Sequence, residues 1–298
     1  MEKEIKAFVP AHLFEFLQVG KTGDVLLVTS SGIYLRIDGR IILLCDGDWG
    51  VQPIGIGIPD FKRAVSRLDP KQGQPVTVSA KRLIFPSGAI CLTVQELPEE
   101  TVDKPLPKLR CIRLAAENLS AQHKTRGISM LVDPLVLGTE PDTMPEQDPY
   151  CARARVYFSK LVAAFRTADT IEIAGCVEKL LGLGLGLTPS ADDVLLGMLW
   201  IFRTLPSQCP ESAAEFRERI ARQCEQRTNQ ISAAYLKAII AGAPFERMES
   251  VFRGLCGAEP LDIQQVTQIG SSSGSEMLLG MLIALRICGY DVSQEELQ

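Results

Sequence analysis

Hydrophobic and polar residues change their rhythm once along the chain. Residues 25–29, 33–37, 40–45, 54–58, 76–79, 82–85 and 89–94 are short β-rich runs, separated by turn formers such as Ser31-Gly32, Asp38-Gly39 and Pro86-Ser87-Gly88. This punctuation predicts antiparallel hairpins in a barrel or a sandwich. Asp38-Gly39 is the strongest of the turns, because a two-residue hairpin loop needs positive φ, which Gly tolerates and Asp nearly does. A Pro- and charge-rich segment at 97–108 marks a domain edge, and beyond it the apolar residues recur with helical spacing. Helices are predicted near 150–167, 169–181, 190–205, 211–241, 245–256, 261–267 and 273–288. Pro134, Pro141, Pro145 and Pro149 forbid a continuous helix between 133 and 149 and predict a long surface loop. The expected class is α+β: an N-terminal antiparallel β domain over 1–105, then a mostly α-helical domain over 106–298.

Within the helical part the chain repeats itself. A shift of 83 residues lays Ser190-Ala191-Asp192-Asp193-Val194-Leu195-Leu196-Gly197-Met198-Leu199 on Ser273-Gly274-Ser275-Glu276-Met277-Leu278-Leu279-Gly280-Met281-Leu282, with Leu-Leu-Gly-Met-Leu identical. The same shift pairs Arg203 with Arg286, which predicts two pseudo-equivalent buried helices, each with a cation near its C-terminus where the helix dipole favours it. A mid-helix Gly costs roughly 1 kcal/mol against Ala, so Gly197 and Gly280 are expected where another backbone comes close. Each helix opens with Ser-x-x-Asp/Glu, the capping-box pattern, which makes Asp193 and Glu276 caps on the structural reading. Asp192 has no acidic counterpart, since Ser275 stands in its place. That singles it out as a catalytic candidate beside Asp193.

Charge narrows the functional classes. Lys+Arg 31 against Asp+Glu 36 leaves a net charge of −5, which offers no general attraction to nucleic acid or to an anionic membrane. The most apolar helical runs, 194–202 and 277–285, are about half the length needed to span a bilayer. Residues 1–9 carry several charges and no secretory core, so a cytoplasmic protein is expected. Nine scattered cysteines without a C-x-x-C pair argue against zinc and against a disulfide framework, and fit a reducing compartment. No metal and no cofactor are expected.

The candidate chemistry lies ahead of the repeated helices. Gly182, Gly184 and Gly186 alternate with leucine before Thr188-Pro189-Ser190, and Gly270-Ser271-Ser272-Ser273-Gly274 precedes the second copy. Such segments leave main-chain N–H groups uncovered beside a helix N-terminus, a physically sound anion site. Neither carries the Lys-Ser/Thr of a nucleotide P-loop nor a dinucleotide fingerprint. On the structural reading the glycines only let two helices pack closely. On the chemical one, Gly184, Gly186, Thr188 and Ser190 face Ser271, Ser272, Ser273 and Glu276 across a small dianionic substrate, or across phosphate beside a carboxylate. Thr228, Ser232 and Tyr235, at i, i+4 and i+7, form one helical face suited to substrate contact or to a solvated edge. His12 and His123 read as surface residues, too far apart in sequence for a metal site, and Lys124 and Arg126 as solvated charge able to balance an anion.

Gly184-Leu185-Gly186-Leu187-Thr188-Pro189-Ser190-Ala191-Asp192-Asp193, Leu195-Leu196-Gly197-Met198 and the segment from Gly270 to Gly280 together resemble the family of the smaller accessory subunit of oxamate carbamoyltransferase. Thr228-Asn229-Gln230-Ile231-Ser232, with Tyr235-Leu236 and Ala241-Gly242, is similar to that family's middle motif, and Asp48-Trp49-Gly50 to Ile54 to its N-terminal strand. Ala191 and Ser272-Ser273-Gly274 depart from the family pattern, with hydroxyls preserved in the second. The resemblance implies a subunit that acts with two other subunits in allantoin breakdown, converting oxalurate and phosphate into oxamate and carbamoyl phosphate. Two alternatives stand beside it: a non-catalytic subunit that binds ligand and organises partners, and an enzyme acting on another small carboxylate or ureide.

Overall fold

The structure, a computed structural model, describes residues 5–95, 105–122, 127–139 and 148–294. Its chain divides into two compact units, residues 1–103 with 243–247, and residues 104–242 with 248–298.

The first unit holds β1 (Ile5–Pro10), α1 (Ala11–Phe16), β2 (Thr22–Val28), β3 (Gly32–Ile37), β4 (Arg40–Asp46), β5 (Gly55–Ile58), α2 (Phe61–Leu68), β6 (Pro75–Ser79), β7 (Arg82–Phe85) and β8 (Gly88–Gln95). The strands close into a barrel in the order β1-β5-β4-β3-β2-β6-β7-β8. Most neighbours are antiparallel, as the hairpin pattern predicts, while β1 with β8 and β4 with β5 run parallel. Asp38 and Gly39 both take positive φ, 44° and 78°, and set the register Ile37↔Arg40 of β3 against β4. Alternate residues of β6 and β7, such as Val76, Val78, Leu83 and Phe85, point into a core that Leu13 of α1 and Phe61 and Leu68 of α2 also fill. His12 departs from the surface position expected of it: it is half-buried, with Nε2 3.0 Å from the Pro53 carbonyl oxygen, and burial lowers its pKa. Glu246 Oε2 accepts from the Val51 N–H at 2.9 Å, and the Arg247 guanidinium donates to the Trp49 carbonyl, which ties residues 243–247 into this unit.

The second unit is helical: α3 (Leu109–Gln122), α4 (Pro149–Thr167), α5 (Thr170–Leu180), α6 (Ser190–Thr204), α7 (Ala213–Arg227), α8 (Gln230–Ile240), α9 (Glu246–Leu255, from Met248 onward), α10 (Gln264–Thr267) and α11 (Ser273–Ile287). The repeated helices α6 and α11 are buried along nearly their whole length, as helices apolar on every side must be. A methyl group on Gly197 would overlap the Met277 carbonyl oxygen, and one on Gly280 would overlap that of Val194. Val194 and Met277 are themselves equivalent under the repeat, so the two helices exchange the same contact, each glycine lying on the other's backbone.

Two sequence readings are corrected. The single helix expected over 211–241 is two, because Asn229 breaks it: its side chain accepts from the N–H groups of Ile231 and Ser232 and starts α8 afresh. The loop expected over 133–149 begins instead as one π-helical turn, Asp133–Leu137, with Leu135 and Val136 buried. Pro149 is no helix breaker but opens α4, with Asp148 accepting from Tyr150 and Cys151 N–H. The rest of that stretch lies outside the described residues, as do His123, Lys124 and Arg126.

Candidate functional site

Two chain segments converge where α6 and α11 begin. Gly182, Gly184 and Gly186 all take positive φ, 78°, 125° and 101°, a path that glycine follows at little cost and other residue types only under strain. A side chain at Gly184 would run into the Ser190 main chain and Cβ. Among the described residues, the main-chain N–H groups of Gly184 to Thr188 and of Ser271 to Ser273 have no hydrogen-bond acceptor. Leu185 and Leu187 stand exposed at the tip of the first loop, a feature that the alternating Gly-Leu pattern does not foretell.

The hydroxyls at the two starts meet: Thr188 Oγ1 lies 3.0 Å from Ser273 Oγ. Thr188 also donates to Asp193 Oδ2 at 2.9 Å, and the Ser272 hydroxyl donates to Glu276 Oε2 at 3.2 Å. Ser273 of one helix supports the charged form of Asp193 on the other, and Ser190 does the same for Glu276. Since Ser190 and Ser273 are repeat equivalents, this exchange mirrors the one at the glycines. It also overturns the capping-box reading. Neither helix start has a side-chain cap, because the close glycine crossing turns each carboxylate toward the neighbouring helix rather than back to its own amides. Glu276 Oε1 is buried without completing a hydrogen bond, although the Ile128 N–H and the Ser190 hydroxyl lie near enough to favour its charge. Gly127 and Ile128, which border it, carry no sequence signal that would have found them.

Asp192 faces elsewhere. Its Oδ1 accepts from the Gly182 N–H at 2.8 Å, and its Oδ2 accepts from the Ser232 hydroxyl at 2.7 Å and from the Thr228 hydroxyl. One buried carboxylate thus joins the glycine loop to the turn between α7 and α8. Thr228 lies in that turn and not on α8, so the expected stripe of Thr228, Ser232 and Tyr235 on one helix does not exist, and Thr228 and Ser232 are occupied as donors to Asp192.

Burial raises the pKa of Asp192, against the pull of Thr228, Gly182 and Ser232. Asp193 is raised well above the usual carboxylate range, first by burial and then by the neighbouring Glu276 charge, and burial raises Glu276 too. No described Lys or Arg is ion-paired to these acids. A buried pair of carboxylates with no described counter-cation holds a proton more readily than two charges, so the cluster can present a neutral acid beside an anion. Arg203 and Arg286 sit at the far ends of the helices and donate to the carbonyls of Ile239 and Leu135. Ser190, Ser272 and Ser273 are half-buried, while Gly186 and Ser271 are exposed, so the hydroxyls line a rim that solvent can enter. No group of three or more potential metal ligands occurs among the described residues.

A β-barrel unit with a helical unit whose duplicated Gly/Ser helix starts enclose paired acids defines an α+β protein built around an internally repeated polar site. Residues 180–285 match the family model described as oxamate carbamoyltransferase subunit AllH, so this segment is similar to that family. The match spans both helix starts, the Thr228–Ser232 turn and the acids, and leaves the barrel outside it. No solved structure matches the chain.

Proposed function

We propose that this chain is the substrate-binding subunit of a carbamoyltransferase that, with two partner subunits, converts oxalurate and phosphate into oxamate and carbamoyl phosphate. The 3.0 Å approach of Thr188 Oγ1 to Ser273 Oγ, beside main-chain amides without an acceptor among the described residues, carries this reading. The N–H groups of Gly184, Gly186 and Thr188 and of Ser271, Ser272 and Ser273 receive phosphate or the substrate carboxylate. A phosphate oxygen attacks the carbamoyl carbon, and the tetrahedral oxyanion is held by donors already aimed at it, an effect of about 3–4 kcal/mol per donor. The bond from that carbon to the oxamate nitrogen then breaks, and the nitrogen takes a proton. Asp193 supplies that proton and regains one from phosphate, since its burial keeps it protonated where an ordinary carboxylate is ionised. Glu276 Oε1 is left as an acceptor for an N–H of the carbamoyl group. Asp192, whose oxygens are taken by Gly182, Thr228 and Ser232, holds the loop in shape.

The test is turnover of the reconstituted three-subunit enzyme. Asp193→Asn should lower kcat by about 10²- to 10⁴-fold with assembly unchanged, while Asp192→Asn should act mainly through stability and KM. Wild-type turnover in Asp193→Asn would remove the acid from the mechanism. That no described Lys or Arg is ion-paired to these acids also favours a second reading, a ligand-binding subunit that organises partners whose own residues do the chemistry. In that case oxalurate raises the melting temperature of this chain, but neither acid changes kcat once the complex forms.

A further inference from the structure

Beyond the C-termini of α6 and α11, far along both helices from the hydroxyl cluster, two cysteines meet. Cys209 follows the 3-10 turn Pro206–Gln208, and Cys288 ends α11. Their Sγ atoms are 3.1 Å apart, inside the contact distance of two packed sulfurs, and both side chains are half-buried rather than sealed in the core. Cys209 also lines a cavity of about 280 Å³, whose wall includes Phe202, Arg203, Arg217 and Ile240; Cys288 is not among the lining residues. The geometry points to a reversible dithiol–disulfide site: Cys209 is the thiol that a small disulfide reaches through the cavity, and Cys288 is the thiol behind it that closes the bond.

A disulfide of an acidic thiol, of the glutathione class, fits this site, because Arg203 and Arg217 lie on the wall beside apolar surface. Cys209, as thiolate, attacks one sulfur of the small disulfide. That S–S bond breaks, and the other half leaves as a thiolate that takes up a proton. Cys288 then gives its proton to water and attacks Cys209 Sγ, forming the protein disulfide and expelling the second small thiol. Two protein thiols are oxidised and one small disulfide is reduced to two thiols. Closure needs a sulfur movement of only about 1 Å, from 3.1 Å to bonding distance. The hydrogen bond from Cys288 lowers the Cys209 pKa and raises that of Cys288, which assigns the attacking role to the same sulfur as the cavity does. The other described cysteines lack this arrangement; burial pushes Cys45 up to about 12 and Cys151 up to about 11.

The folded chain is treated with oxidised glutathione, then alkylated, digested and mapped, with thiols titrated in parallel. The expected result is a loss of two thiols and a Cys209–Cys288 crosslinked peptide, both reversed by dithiothreitol. Cys288→Ser should instead hold one glutathione at Cys209, and Cys209→Ser should form neither product at this site. Retention of every thiol by the folded wild-type chain would overturn the proposal. So would a crosslink between other cysteines, or glutathione found at Cys288 in Cys209→Ser. The wild-type map decides the matter alone if either variant fails to fold.

Discussion

Asp192 and Asp193 are neighbours in sequence with opposite surroundings. Adjacent helical residues point about 100° apart, so Asp192 reaches the glycine loop and Asp193 the partner helix. Asp192→Asn keeps the size but exchanges one acceptor oxygen for a donor that faces the Thr228 and Ser232 hydroxyls or the Gly182 N–H. A loss of about 2–4 kcal/mol in unfolding free energy is expected, from the hydrogen bonds to a charged acceptor that are broken. Ser232→Ala should cost less and should not add to Asp192→Asn, because both act on one network; urea titration of the single and double variants measures this. Both acids were legible in the sequence as candidates, but their roles were not. Spacing told that they lie in a first helical turn, whereas which donors surround each depended on Thr228 and Ser273, 36 and 80 residues further along the chain.

At the scale of elements, the repeat was the most informative signal. It foretold two buried helices and a glycine crossing, and the structure bears out both. Gly197→Ala and Gly280→Ala should each destabilise, although Ala is the better helix former by about 1 kcal/mol. The added methyl has only a carbonyl oxygen to displace, and overpacking of this kind costs about 1–3 kcal/mol or more. A rise in the melting temperature of either variant would mean that the helices do not cross there. Asn229→Ala removes the side-chain acceptor that starts α8 and should cost about 1 kcal/mol, seen as a shift in the urea midpoint. That break was invisible to periodicity, because α7 and α8 carry apolar residues in compatible phase on either side of it. Helices α1, α2 and α3 and strand β1 were also not anticipated. The first two are short, α1 has neither a side-chain cap nor an acid in its first turn, and α2 is started by Asp60 in a left-handed conformation with no cap bond. Neither offers the punctuation from which a helix is read.

For the molecule as a whole, the buried acids set a pH dependence of unusual sign. Asp192, Asp193 and Glu276 all have folded pKa values raised by burial. The folded state therefore binds more protons than the unfolded chain above the ordinary carboxylate value of about 4. Their contribution favours folding below that pH and is lost as pH rises through the folded values. Asp193→Asn, which removes the most strongly shifted of them, should gain stability relative to wild type as pH increases from about 4 to 8. Trp200, fully buried in the helical unit, reports its unfolding by fluorescence once Trp49 of the barrel unit is replaced by Phe. A constant difference between variant and wild type over that range would show that Asp193 titrates normally. The α+β class and the β-rich start were readable from alternation and turns alone, whereas the choice of a closed barrel over a sandwich was not. It depends on the pairing of β1 with β8, strands at opposite ends of the unit, and local pattern holds no record of such a partnership.

Carrying both copies of a helix on one polypeptide has a consequence that a pair of identical chains could not share. In a symmetric dimer every change appears twice, and each side of a central cleft must stay the same. Here the halves differ: Asp192 answers to Ser275, Asp193 to Glu276, and Pro189 to Ser272. If the proposed substrate binds between these helix starts, their unlike residues tell the head of a lopsided molecule from its tail, and so fix which of its bonds faces the acids.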